Sequence, residues 1–313
     1  MRARPRRPPT ASVFAVSMVI ALAACASQSP PTPNTPLAPV SPTVATPSPP
    51  AATAQPATLN GCPPAHPEAQ LTVLARIAAS PDDVTVDRDG NIWVTALDAH
   101  LITELSADGK VLATVSDPGG PEGLVELPDG RFVVADQLVN ELGIFRPGDA
   151  RVSRLLPLTN RTANAGIDGL AYDATHQRVL IPDSPNGTLL AYPVGGTTTV
   201  LRRGLGRPVA ATTDPAGNVY IGMENAPGVL VVSPTGATRS LASFAQVDEV
   251  VYLNGLLYVA DLAGTVDAID PATGQSVRLV TAPAPQGLAA TANGTLFLVD
   301  ETTHVVASLA PCR

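Results

Sequence analysis

Four acidic residues, Asp82, Glu122, Asp168 and Asp248, stand at matching places in a repeated segment, each just ahead of an apolar run. Val209 and Gln286 hold the same place in the two other copies. Gathered at one point, four carboxylates repel one another unless protons or a cation intervene. Hard oxygen donors from several loops suit Ca2+ or Mg2+ rather than zinc. The expectation is a metal set of Asp82, Glu122, Asp168 and Asp248 around one divalent cation as cofactor. The plainer reading is that each acid caps its own strand or bonds a neighbouring backbone.

A second set of acids ends a recurring string. Asp136, Asp183, Asp261 and Asp300 close RFVVAD, RVLIPD, LLYVAD and TLFLVD. Aspartate is a good turn initiator because its carboxylate bonds nearby backbone N–H groups. These residues recur because a structural unit recurs, and a turn role is expected for each. They also fall on the expected ligand face, with Asn140, Asn186, Glu224, Asn225 and Gln286.

What must position both sets is the repeat. Six copies align on a turn and the strand after it: DGNIWVTA (89–96), DGRFVVAD (129–136), HQRVLIPD (176–183), AGNVYIGM (216–223), NGLLYVAD (254–261) and NGTLFLVD (293–300). From Leu71 to Cys312 there are 242 residues, or about 40 per copy, a period typical of propeller blades. Each copy reads as four short strands, with Asp-Gly or Asn-Gly hairpins that accept positive φ. The second strand is a nearly unbroken apolar run, as when both faces pack on neighbouring sheets. The sixth copy stops after HVVASLA (304–310), one strand short, and LTVLARIA (71–78) has the character of the missing strand. The fold expected is all-β: a six-bladed propeller of four-stranded antiparallel blades, closed by residues 71–78 in the last blade.

The strings PEGLVELPDGRFVVADQLVNELGIF (121–145) and IDGLAYDATHQRVLIPDSPNGTLLAY (167–192) resemble the NHL and gluconolactonase/regucalcin-like propellers. The resemblance implies a divalent cation above the central channel. It also implies acid ligands at Glu122, Asp168 and Asp248, and one acid, Asp248, acting as base in lactone hydrolysis. Copy one departs from the pattern with PDDV (81–84), no Asn stands at the ring positions, and Val209 offers no ligand.

The N-terminus carries other information. Arg2, Arg4, Arg6 and Arg7 precede an apolar run from Ala11 to Ala24, ending in Leu22-Ala23-Ala24-Cys25. That pattern resembles a bacterial lipoprotein signal, with 1–24 removed and Cys25 lipidated. The other reading is a plain export signal with an incidental Cys. Residues 25–67, rich in Pro, Ser, Thr and Ala, are expected to be a tether, and 68–313 the folded domain. The product would be exported and anchored to a bacterial membrane through Cys25 alone. In that oxidising compartment the two remaining cysteines, Cys62 and Cys312, are expected to pair.

Formal charge is −8 for the whole chain and −12 without residues 1–24, which argues against a nucleic-acid partner. His66, His100, His176 and His304 lack metal-ligand spacing, and no Gly-x-Ser-x-Gly elbow occurs. Asp87-Arg88-Asp89-Gly90 is a turn rather than a calcium loop, and Trp93 is expected in the core. Two functions remain. One is a monomeric, membrane-anchored module binding a small molecule or an extracytoplasmic protein. The other is a cation-dependent lactonase.

Overall fold

A computed structural model describes Leu59, Cys62 and residues 71–159, 166–225 and 228–312. The expected signal segment, Cys25 and most of the tether lie outside these described residues.

Six sheets, each of four antiparallel strands, make the fold. The closing strand is β1 (Leu71–Arg76). Blade one holds β2 (Val84–Val86), β3 (Ile92–Ala96), β4 (Leu101–Leu105) and β5 (Val111–Ser116). Blade two holds β6 (Pro121–Glu126), β7 (Phe132–Asp136), β8 (Glu141–Phe145) and β9 (Ser153–Pro157). Blade three holds β10 (Ala171–Asp173), β11 (Arg178–Asp183), β12 (Thr188–Tyr192) and β13 (Thr199–Arg203). Blade four holds β14 (Pro208–Thr213), β15 (Val219–Met223), β16 (Val229–Val232) and β17 (Thr238–Ala242). Blade five holds β18 (Val247–Leu253), β19 (Leu256–Asp261), β20 (Thr265–Ile269) and β21 (Ser276–Thr281). Blade six holds β22 (Pro285–Ala290), β23 (Leu296–Asp300) and β24 (Val305–Leu309), and β1 completes it. The inner strands touch in cyclic order β2, β6, β10, β14, β18, β22 and back to β2, so the ring is closed.

Closure follows the expected route. Leu71 pairs with Leu309 and Arg76 with Val305, and the N–H of Ile77 donates to the carbonyl of His304. Cys62 and Cys312 form a disulfide at the same seam. Leu59 is buried there with Leu253, Tyr258 and Leu309. Leu59 and Cys62 fall in the span expected to be tether, and the apolar contact and the disulfide hold them against blades five and six.

Burial tracks strand position. Every residue of β3, β7, β15 and β23 is buried, since both faces of each second strand meet neighbouring blades. Outer strands such as β5 alternate towards solvent. Trp93 is fully buried, tilted against Phe132 (4.8 Å) and Phe145 (5.5 Å) between blades one and two, with its indole N–H donating to Asp87. Asp87 also accepts from the N–H groups of Asp89 and Asn91, which makes this segment a turn. Asp214 repeats that role, accepting from the Asn218 N–H and the Tyr220 hydroxyl.

Candidate functional site

The hub sits where the six inner strands begin. These strands converge closely enough that glycine is required. A Cβ on Gly123 would lie 2.5 Å from the Asp168 carbonyl oxygen, and one on Gly169 would lie 2.7 Å from that of Val209. The register of β6, β14, β18 and β22 shifts at Glu122, Val209, Asp248 and Gln286. Such bulges re-aim a side chain away from the regular alternation. They let consecutive residues border the channel. Asp82, Asp83, Glu122, Asp168, Asp248, Glu249 and Gln286 thus line one space of about 10 Å³, room for a single water-sized group. Beneath it a channel of about 140 Å³ is walled by all six inner strands.

The expected set Asp82, Glu122, Asp168 and Asp248 is brought together, with Gln286 beside it. Asp83 and Glu249 were not expected. Strict strand alternation points them away from the channel, and only the doubled acids in PDDV and VDEV hint otherwise.

The carboxyls are largely engaged by the protein itself. The N–H of Leu97 donates to Asp82 Oδ2 (2.5 Å). Asp83 accepts from the N–H groups of Val84 (2.7 Å) and Leu124 (3.1 Å), tying blade one to blade two. Gln137 Nε2 donates to Glu122 Oε2, and the Val250 N–H to Glu249 Oε1 (2.7 Å). Blade four differs. Its hub residue is Val209, but two residues earlier Arg207 bridges Asp168 (3.4 Å) and Glu224.

Burial dominates the protonation of the hub, because desolvation disfavours the charged form. It pushes Asp82 and Asp83 up to about 7, against the backbone N–H groups that they accept. Asp168 rises by burial to about 6, with Arg207 opposing. Burial, then the neighbouring charge of Asp168, lifts Glu122 and Asp248 well above the usual range. Glu249 rises likewise, by burial and then Asp83. At neutral pH the hub therefore retains protons.

The second set of acids serves the loops. Asp261 accepts from the N–H groups of Ala245, Gln246 and Ala263. Asp300 accepts from those of Ala284 and Thr303. Asp183 takes Asn186 Nδ2 and the Thr188 hydroxyl. Asp136 lacks such donors: its Oδ1 is buried without a partner. Asn140, 1% exposed, donates to the Thr159 carbonyl and accepts from the Ile167 N–H, so it ties blades two and three. Asn225 is exposed in the connection between β15 and β16 of blade four. Two larger depressions, of about 440 and 540 Å³, lie at the opposite face between hairpin turns and gather no such acids.

Among the described residues, no group of three or more His, Cys, Asp or Glu side chains is arranged to hold a metal ion. The hub acids accept from N–H groups, from Gln137 and from Arg207. Calcium takes 6–8 oxygen ligands, roughly, from deprotonated or neutral donors. The residues present do not fit it.

The fold defines a six-bladed β-propeller, and solved structures of that class resemble it. Regucalcin of Agrobacterium tumefaciens, a calcium-binding protein, superposes with a TM-score of 0.66 and 14% identity, over 79% of this chain and 95% of its own. A gluconolactonase of Xanthomonas campestris gives 0.65 and 15%, over 77% and 89%. A chain of the nidogen–laminin complex gives 0.57 and 18%, over 74% and 88%. No protein-family profile and no curated protein matches the chain. The likeness is one of fold, and proteins of this fold do unlike things.

Proposed function

We propose that this chain is a binding module that takes a positively charged group at its hub. The observation that carries this reading is the convergence of six carboxyls from blades one, two, three and five on a space of one water-sized group. A primary ammonium has that size, and it donates three hydrogen bonds to oxygen acceptors. Its parent molecule, a small amine or a lysine-bearing protein, would rest on the rim formed by the loops after the second strands. The excess of acidic residues would steer such a partner inward at low salt. The lipobox at Cys25 and the polar stretch behind it support presentation of the module outside the cytoplasm on a membrane anchor.

The test is equilibrium binding of a short lysine-rich peptide to the full chain, beside the same peptide with its lysines acetylated. Binding of the first should exceed the second at least tenfold, and Asp248→Asn should remove the difference. Equal binding of both peptides would sink the reading. Lactone turnover that needs a divalent cation and disappears in Asp248→Ala would replace it with the hydrolase.

A further inference from the structure

Blade four breaks the acid pattern of the hub in a compensated way. The residue two places before each hub position is Ser80, Gly120, Gly166, Arg207, Gln246 or Ala284. Only blade four places a charge there. The repeat is aligned by a shared ladder bond: the carbonyls of Gly120, Arg207 and Ala284 accept from the N–H groups of Gln137, Glu224 and Glu301. In blade two this position is a glycine at φ 77°. In blade four Arg207 holds φ 51°, a left-handed conformation that costs a residue with a Cβ roughly 1–2 kcal/mol. A side chain kept at such cost has a task.

The task is visible in its contacts. The guanidinium joins Asp168, a hub acid, to Glu224, the residue after β15. It also eases the ionisation of Glu122 and Asp248 from farther away. A planar guanidinium with five donors suits several carboxylates at once.

We propose that Arg207 is the resident counter-charge of the hub, holding its carboxyls together in place of a divalent metal ion. The hub then assembles without metal, whether or not an ammonium docks above it.

The test uses the full chain. Thermal unfolding is followed in excess EDTA, and in millimolar Ca2+ or Mg2+, with calorimetric titration of each ion. Wild type should melt at the same temperature in all three and show no stoichiometric ion binding. Arg207→Met should melt lower, by roughly 5–15 °C. Added Ca2+ should restore part of that loss, because an ion that binds only the folded state stabilises it. Arg207→Lys should stay near wild type and remain indifferent to the ion. Stoichiometric ion binding by wild type, with a fall in melting temperature on chelation, would overturn the proposal. So would an Arg207→Met chain as stable as wild type. If that variant does not fold, wild type and Arg207→Lys decide.

Discussion

Asp117 and Asp136 are two buried carboxyls that oppose each other's ionisation, and each leaves one oxygen without a hydrogen-bond partner. Both are nearly inaccessible, 2% and 3% exposed, and the atoms left without a partner are Asp117 Oδ2 and Asp136 Oδ1. In blades five and six the corresponding aspartate is met by backbone N–H groups. Here the Gly119 N–H donates to Asp117 instead. Burial, then the charge of Asp117, pushes Asp136 up to about 9, so Asp136 keeps its proton at neutral pH. Around them stand His100, which favours the charged form of Asp117, and Glu141, which opposes that of Asp136. Asp136→Asn supplies a permanent donor. It should stabilise the chain by about 1–3 kcal/mol at pH 8 and far less at pH 5, read as a melting-temperature difference between the two pH values. A variant less stable than wild type at pH 8 would remove the retained proton from this account.

The hub makes a broader pH prediction. Asp168, Asp82, Asp83 and Asp136 have folded values of about 6, 7, 7 and 9, all above the unfolded 3.8. Between those limits the folded chain binds more protons than the unfolded one, so stability falls as pH rises. Their contribution is fully present below about pH 4. It declines most steeply from there to pH 6 and is lost above pH 9. Asp173 acts oppositely: burial raises it, but the combined hydrogen bonds from His176 and Arg178 outweigh burial and hold it low. That contribution disappears as pH drops below the unfolded carboxylate value. Denaturant midpoints should peak near pH 4 and decrease towards pH 8. A flat profile over pH 5–8 would show the hub already ionised.

Gly123 and Gly130 separate two kinds of glycine. A Cβ on Gly123 meets backbone of blade three, whereas one on Gly130, at φ 81°, meets only Arg88 atoms 4.0 Å away. Gly123→Ala must push two inner strands apart and should cost about 3 kcal/mol. Gly130→Ala pays only turn strain, about 1 kcal/mol. Urea unfolding of both variants checks the order, and reversal would mean that the hub is looser than described.

Opening the disulfide should cost about 2–5 kcal/mol, for a crosslink that closes a separation of 250 residues. The double substitution Cys62→Ser, Cys312→Ser should lower the urea midpoint correspondingly. Trp93, the only tryptophan of the chain and fully buried, reports the transition by its fluorescence. An unchanged midpoint would indicate that β1 alone secures the seam.

Much of this was readable in the chain because repetition amplifies weak signals. One LLYVAD is ambiguous between strand and buried helix, but six such strings, each after a turn, are not. The missing fourth strand of copy six and two spare cysteines then indicated closure. The hub was half legible. Asp82, Glu122, Asp168 and Asp248 could be placed by counting from the repeat. Glu249 could not, because a bulge in β18 overrides strand alternation, and Asp83 could not, because it lies just before β2, outside the regular ladder. Arg207 was hidden for another reason: nothing in Gly-Arg-Pro signals a left-handed backbone that turns the guanidinium to Asp168. The exceptional state of Asp136 was equally invisible, since its string matches those of Asp261 and Asp300.

The clasp between Cys62 and Cys312 also decides where mechanical load travels. A pull on the chain upstream of Cys62 passes through the sulfur bridge to the last turn after β24. That route bypasses the hydrogen bonds between β1 and β24. While the bridge is intact, tension reaches the propeller as a tug on both partners of the seam in blade six, rather than on its outer strand alone.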